Sequence, residues 1–389
     1  MKNLWTIEEA KNYKTDLELR VFTSNLLGRS DELVLHGGGN TSVKSRVGDQ
    51  DILFVKGSGW DLVSIKEEGF APVELTMLQD MAKVESLSDS EMVAAQREAM
   101  IDKSAPNPSV EAILHAIIPF KFVDHTHADA VVTISNNVNG KQNIKKLYPN
   151  FLIVPYVMPG FILAHTIYEM TKELDWDKCE GIILHNHGIF TFDDDAKRSY
   201  DKMIDAVNLA EDFLNENAKL DLPSKESQLF EIGSLEIMMR LEKGSDIVSV
   251  TNQSQLALNF ASLSVEKLQR GVLTPEHIIR TKRHPLIIKQ GDNVAKKLEE
   301  YKYEYTKYFE MFAKDEVMLN PSPNYVVVEN FGVISFGKNE KEANIINDII
   351  EHTMKAVMRS DLLGGYESIS LKESFDMEYW ELEQAKLKK

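Results

Sequence analysis

A layered fold of mixed helices and strands, the α/β class, is what this sequence predicts, and three observations predict it. Helix-spaced and strand-spaced apolar patterns alternate from position 1 to position 218, which is how a sheet covered by helices reads in sequence. One stretch of that pattern, 182–192, returns without gaps at 326–336. With 43% hydrophobic and 27% charged residues, the chain has enough apolar surface for packed cores and lies outside the disordered class. A length of 389 residues suits two domains.

The stretch 1–30 reads as helix, with Leu4, Ile7, Leu17, Leu19, Val21, Phe22, Leu26 and Leu27 spaced among charges and Gly28 ending the run. A glycine-rich turn follows at 37–39. Residues 51–55 read as a buried strand, closed by the turn Gly57-Ser58-Gly59. Pro106 and Pro108 announce a helix carrying Val110, Ile113, Leu114, Ile117 and Ile118, which Pro119 stops. Residues 122–135 and 181–192 read as strands, and about 194–217 as a long helix. Polar text around 220–227 marks a boundary between a first domain, 1–218, and a second, 227–389. In the returning pattern Asn186 meets Asn330, Gly188 meets Gly332 and Phe192 meets Phe336. A strand–turn–strand–helix unit used twice is the expectation. In the second copy Phe331 stands in place of His187.

Charge and cysteine usage narrow the function. Acidic residues outnumber basic ones 61 to 44, for a net charge of −17, which excludes a surface built mainly for nucleic acid. A small anionic substrate needs only one local pocket and stays open. One cysteine, Cys179, excludes an intrachain disulfide and a multi-cysteine zinc site, and fits a reducing compartment. The stretch 1–10 carries three charges and no apolar core, so no secretory leader is expected there, and no apolar run approaches a membrane span. A cytoplasmic location is expected.

The strongest chemical signal is His125-Thr126-His127. Residues i and i+2 of a strand share a face, so two imidazoles can converge on one cation. Seven of the ten histidines lie in the first domain, and four of them form two such pairs. The second pair is His185-Asn186-His187. Three imidazoles with an open position make a catalytic metal site, and His187, abutting Gly188, is the better third ligand. His185 reads as an outer or solvent-facing histidine. Glu111, early in the helix after Asn107-Pro108-Ser109, is the acid/base candidate; beside a cation it can act as ligand, as base, or as both in turn. His115, on the same helix face, reads as structural. Two turns suit anions: Gly37-Gly38-Gly39-Asn40-Thr41-Ser42 and Lys56-Gly57-Ser58-Gly59, where successive N–H groups, hydroxyls and an ammonium can meet phosphate oxygens. Neither matches a nucleotide-binding loop.

Taken in order, Gly39-Asn40-Thr41-Ser42, Ser58-Gly59, Ser109 with Glu111, the His125/His127 pair and Asn186-His187-Gly188 resemble the class II aldolase/adducin family over about 17–217. The likeness is greater still to the aldolase part of bifunctional rhamnulose-1-phosphate aldolase/alcohol dehydrogenase proteins. It includes Leu273-Thr274-Pro275-Glu276-His277 and the ending from Glu378 to Lys386. There a short-chain dehydrogenase follows that ending; none is expected within this sequence.

The resemblance implies a layered α/β/α first domain and a second, degenerate aldolase-like domain without a metal. It implies that His125, His127 and His187 bind Zn2+ or another divalent metal, and that Glu111 is the general acid/base. Asn40, Ser58, Gly59 and Ser109, with the neighbouring Thr41, would hold a phosphate. Tyr156, in Val154-Pro155-Tyr156, would be an acid supplied by a neighbouring subunit, which implies a homo-oligomer. Val110 stands where phosphate-binding members often have a second serine. The implied activity is cleavage of a ketose 1-phosphate such as rhamnulose 1-phosphate to dihydroxyacetone phosphate and a short aldehyde such as lactaldehyde. A separately encoded short-chain dehydrogenase would be a partner. Sugar-phosphate epimerases and dehydratases on the same scaffold, and non-catalytic adducin-like binding proteins, are the alternatives.

Overall fold

The structure is a computed structural model and describes residues 1–384. The ending that runs to Lys386 therefore lies partly outside the described residues. The chain folds as two compact units: Met1–Val132 with Lys141–Phe213, and Thr133–Gly140 with the chain from Leu214 onward.

The first unit is built on a seven-stranded sheet. Its strands are β1 (Asn40–Val47), β2 (Gln50–Lys56), β3 (Phe70–Glu74), β4 (Phe122–Thr126), β5 (Phe151–Val154), β6 (Gly181–Leu184) and β7 (Gly188–Asp193). They lie in the order β3-β2-β1-β4-β7-β6-β5. All neighbours are antiparallel except β5 and β6, which run parallel. Every residue of β4 and β6 is buried; β6 reads as a continuous apolar run, whereas β4 buries the polar Asp124, His125 and Thr126. The helix Asp16–Gly28 starts on a capping box, in which Thr15 and Glu18 satisfy each other's backbone N–H groups, and it buries Phe22, Leu26 and Leu27. The helix Ala196–Asn217 buries Tyr200, Met203, Ile204, Val207 and Ala210, the spacing of one helix face.

Several sequence expectations are corrected here. The stretch 1–30 holds two helices, Ile7–Ala10 and Asp16–Gly28, because Thr15 caps a new start. Asn40, Thr41 and Ser42 begin strand β1 rather than continuing the glycine turn. The strand at 122–135 stops at Thr126, and Asp129–Ser135 is helix; a short apolar run fits either state, and Asp129 suits a first helical turn. The stretch 181–192 is a hairpin, so His185 and His187 stand in the turn between its strands. Glu111 is the N-cap residue of the helix Ala112–Ile117, one step outside it.

The second unit carries a four-stranded sheet of β8 (Val248–Asn252), β9 (Leu286–Ile288), β10 (Tyr325–Val328) and β11 (Gly332–Gly337), in the order β8-β11-β10-β9. Its core gathers Leu235, Met239, Ile288, Val326, Ile334 and Phe336. The order and directions repeat β4-β7-β6-β5, including the one parallel pair. β10, β11 and the helix Glu340–Leu362 follow β6, β7 and the helix Ala196–Asn217 at one constant offset along the chain. Even the turn is copied: Asn186 and Asn330 both take the left-handed conformation, at φ 60° and 57°. Asparagine tolerates that region better than most side chains. The second, aldolase-like domain expected from sequence is thus a repeat of the outer half of the first sheet. No helix among the described residues is long and apolar enough to cross a membrane.

Candidate active site

The site is built where β4 meets β1 on one side and β7 on the other. His125 lies directly opposite Asn40 of β1 and Phe190 of β7. Its ring stacks on Phe190 with centroids 4.1 Å apart, and its Nδ1 lies 3.1 Å from the carbonyl of Ile189. A ring nitrogen facing a carbonyl must carry the proton, so Nε2 keeps its lone pair and points away from that carbonyl. Burial pushes His125 down to about 3, which keeps this imidazole neutral at ordinary pH.

His127 follows just past the end of β4, and its Nε2 is 3.1 Å from that of His125. His187 arrives from the β6–β7 turn. The ring centroids of His125, His127 and His187 are 4.8 to 5.3 Å apart, and one nitrogen of each lies within 4.8 Å of the others. Gly188 makes this approach possible. A Cβ there would sit 2.4 Å from the carbonyl oxygen of Thr126 and 2.9 Å from Cε1 of His125. The glycine after His187 is therefore a packing requirement of the histidine cluster.

Glu111 completes the set. Its Oε2 is 3.5 Å from His125 Nε2 and its Oε1 3.8 Å from His187 Nε2. Burial alone would raise its pKa, but His125, His187, the Asn40 amide and His127 together hold it down at about 2, so it remains a carboxylate. Oε2 accepts a 2.6 Å hydrogen bond from Asn40 Nδ2, whereas Oε1 makes none among the described residues. Three converging imidazoles and an ionised carboxylate form a donor set that a divalent cation fits.

The expected anion groups gather only in part. The turn after β2 lies against 107–109: Ser58 N–H donates to the Asn107 carbonyl at 2.8 Å and Ser109 N–H to the Lys56 carbonyl at 3.0 Å. Ser58, Gly59 and Ser109 are thereby brought together, and Ser109 Oγ accepts from the Glu111 N–H. Gly59 is open, with φ 88° and nothing within 4 Å of a would-be Cβ. The two glycine turns also touch, since Lys56 Nζ donates to the Gly37 carbonyl at 3.2 Å. Thr41 does not join this group: it is fully buried, with its hydroxyl 2.8 Å from that of Ser24. Tyr156 lies just past the end of β5, beside the turn that carries His187, because His185 N–H donates to the Val154 carbonyl. His185 is buried rather than solvent-facing; its Nδ1 contacts Asn186 Oδ1, and its Nε2 has no hydrogen-bond partner among the described residues.

Sequence reasoning missed the link from Asn40 to Glu111 and the stacking of Phe190 on His125. A strand reading of 40–47 would have placed Asn40 and Ser42 on one face.

A solvent-excluded carboxylate beside three imidazoles, on a mixed sheet with one parallel pair, defines a site of the catalytic divalent-metal type. The model of the Class II Aldolase and Adducin N-terminal domain matches residues 21–214, and that of the Aldolase class II, second domain, matches 233–387. The chain belongs to the class II aldolase/adducin family. Among its relatives is an "Uncharacterized oxidoreductase YuxG" of Bacillus subtilis (strain 168), 29% identical over 417 residues. All of this chain is covered, but only 60% of that protein, so the chain spans less than two thirds of that curated relative. Among solved structures, the N-terminal class II aldolase domain of a conserved protein from Thermoplasma acidophilum is 37% identical. That likeness covers 55% of this chain and 99% of the other, at a TM-score of 0.51. Family and donor set together support a lyase-type, divalent-metal-dependent enzyme.

Proposed function

We propose that this chain is a zinc-dependent class II aldolase that cleaves a ketose 1-phosphate, of the rhamnulose 1-phosphate kind, to dihydroxyacetone phosphate and a short aldehyde such as lactaldehyde. The observation that carries the reading is Glu111. It is a buried carboxylate with one oxygen tied to Asn40 and the other open, set against three imidazoles. His125, His127 and His187 would hold the cation. When bound, it supplies Lewis-acid stabilisation for charge developing on substrate oxygens.

The chain's own residues account for the protons. In the condensation direction the Glu111 carboxylate removes a proton from the carbon that will form the new bond, and Tyr156 of a neighbouring copy gives one to the aldehyde oxygen. Cleavage reverses both transfers. Ser58, Gly59 and Ser109 hold the phosphate, while Asn40, expected with them from the sequence, gives its amide to Glu111. The catalytic domain is then 1–218 and the second, 227–389, is metal-free. A homo-oligomer follows from a shared tyrosine, a cytoplasmic location fits the single cysteine, and a separately encoded short-chain dehydrogenase that reduces the aldehyde is a fitting partner.

The test is metal content paired with a coupled assay for dihydroxyacetone phosphate released from rhamnulose 1-phosphate and fuculose 1-phosphate. About one zinc per chain is expected, as three imidazoles form one site, with release abolished by a chelator. Glu111→Gln is expected to keep its metal and lose turnover by on the order of 10²–10⁴-fold, the range for a general acid–base group. A Glu111→Gln protein with unchanged turnover would remove Glu111 from the reaction, and metal without release from either sugar would overturn the substrate.

A further inference from the structure

His115 reads as structural in the sequence, yet its surroundings specify a proton pattern. Asn40 Nδ2 faces Glu111 Oε2 at 2.6 Å, and Asn40 Oδ1 faces His115 Nε2 at 2.5 Å. On the far side of the ring, His115 Nδ1 lies 2.8 Å from Ser42 Oγ. All four side chains are buried. Glu111 is a carboxylate and only accepts, so Asn40 must turn its NH2 toward it and its carbonyl oxygen toward His115. That oxygen requires a hydrogen on His115 Nε2. Burial holds His115 well below its usual range, so the ring is neutral and Nδ1 carries the lone pair that accepts from the Ser42 hydroxyl. Reversing either the amide or the ring would set two acceptors against each other in a buried place, at a cost comparable to a lost hydrogen bond. The ring itself is held edge-on against Phe190, the same side chain that backs His125.

The pattern has a consequence at Glu111. With an N–H aimed at Oε2, a proton on that oxygen would collide with the amide hydrogen. Oε1, which makes no hydrogen bond among the described residues, is the place left for it. We propose that His115 is a positioning residue that, through Asn40, divides the labour of the two Glu111 oxygens: Oε2 is held, and Oε1 takes and gives the proton. The role of Oε1 rests on the aldolase reading above; the Ser42–His115–Asn40–Glu111 order of donors does not.

Two measurements separate those parts. Nitrogen-15 NMR of the histidine-labelled, metal-free protein is expected to show His115 as the Nε2–H tautomer, assigned by its absence in His115→Gln. In the assay for dihydroxyacetone phosphate release, His115→Phe is expected to lower kcat about 10²-fold, the scale of a slightly misplaced catalytic group, with KM and bound metal unchanged. His115→Gln, whose amide can still donate to Asn40, is expected to recover most of that loss, which a merely space-filling role would not predict. Should His115→Phe fail to fold, Ser42→Ala, which removes only the outer bond, is expected to keep the Nε2–H tautomer because Asn40 and Glu111 alone require it, and a switch to Nδ1–H there overturns the proposal. An Nδ1–H tautomer in the native protein, or full kcat in His115→Phe, overturns the proposal while leaving an aldolase intact. If no sugar phosphate is cleaved, the Nε2–H tautomer still establishes the donor order, and only the task of Oε1 falls.

Discussion

The four strands β4 to β7 and the four strands β8 to β11 have one topology and two chemistries. Aligned through their pairing, Thr251 falls where His125 is, because His125 pairs with Phe190 and Thr251 with Ile334, the counterpart of Phe190 in the repeat. Two positions on, Gln253 matches His127, and in the hairpin turn Phe331 matches His187. The left-handed asparagine, the glycine after the turn and the long helix are kept. What differs is whether the position after the asparagine faces other imidazoles or a core: Phe331 is buried and packs against Phe230 at 5.4 Å. Among the described residues the second sheet also has no counterpart of β1 to β3, and so none of Asn40, Lys56 or Ser58. Strand order and turn geometry are therefore set by apolar burial and one backbone conformation, and the donor set is an addition to them.

Making the first copy resemble the second is the harshest way to break this comparison. His187→Phe is expected to abolish metal binding measured by elemental analysis. The loss should exceed the ~10–100-fold that changing an outer partner of a ligand costs. Retained zinc would mean that His187 is not a ligand. The converse, Phe331→His, is expected to give the second unit neither metal nor activity, since Thr251 and Gln253 supply no imidazoles. It should destabilise by about 1–3 kcal/mol for an imidazole in an apolar core, read as a lower urea midpoint. Metal gained by this variant would refute the alignment of the two sheets.

The smallest effect concerns charge. Burial, with the Lys282 ammonium nearby, pushes Lys243 down to about 7. Between that value and the usual lysine value of 10.5 the unfolded chain binds more protons than the folded one. Stability then rises with pH across the window and is lowest below it. Lys243→Met is accordingly expected to raise the unfolding midpoint near pH 6, with the gain fading toward pH 10. A pH-independent effect would mean that the amine is not desolvated.

Much of this was legible in the sequence because it is local. The His-x-His pair, Asn-His-Gly and the return of 182–192 at 326–336 are contiguous patterns, and contiguous patterns survive translation into hairpins and helices. The illegible parts were decided by partners far along the chain. Nothing near Gly39 announces that Asn40 starts a strand, because the strand exists through pairing with β2 and with β4, where Asn40 lies opposite His125. The apolar run after His127 fits a strand as well as it fits the helix it forms. The link from Glu111 to His115 through Asn40 spans 71 and 75 residues of sequence in its two hydrogen bonds, beyond the reach of any spacing argument.

Two hairpin–helix units of the same strand lengths and pairing in one polypeptide also create a hazard during folding. A nascent β6 meets its own β7 first, but β10 and β11 later offer edges of the same length and turn, and such chains are prone to exchanging equivalent segments. The residues that now differ oppose that exchange. A hairpin bearing His187 would bury an imidazole among Phe230 and Leu235, and one bearing Phe331 would face Glu111 with nothing to offer it. The divergence that separates a reactive copy from an inert one thus also keeps each strand with its own sheet.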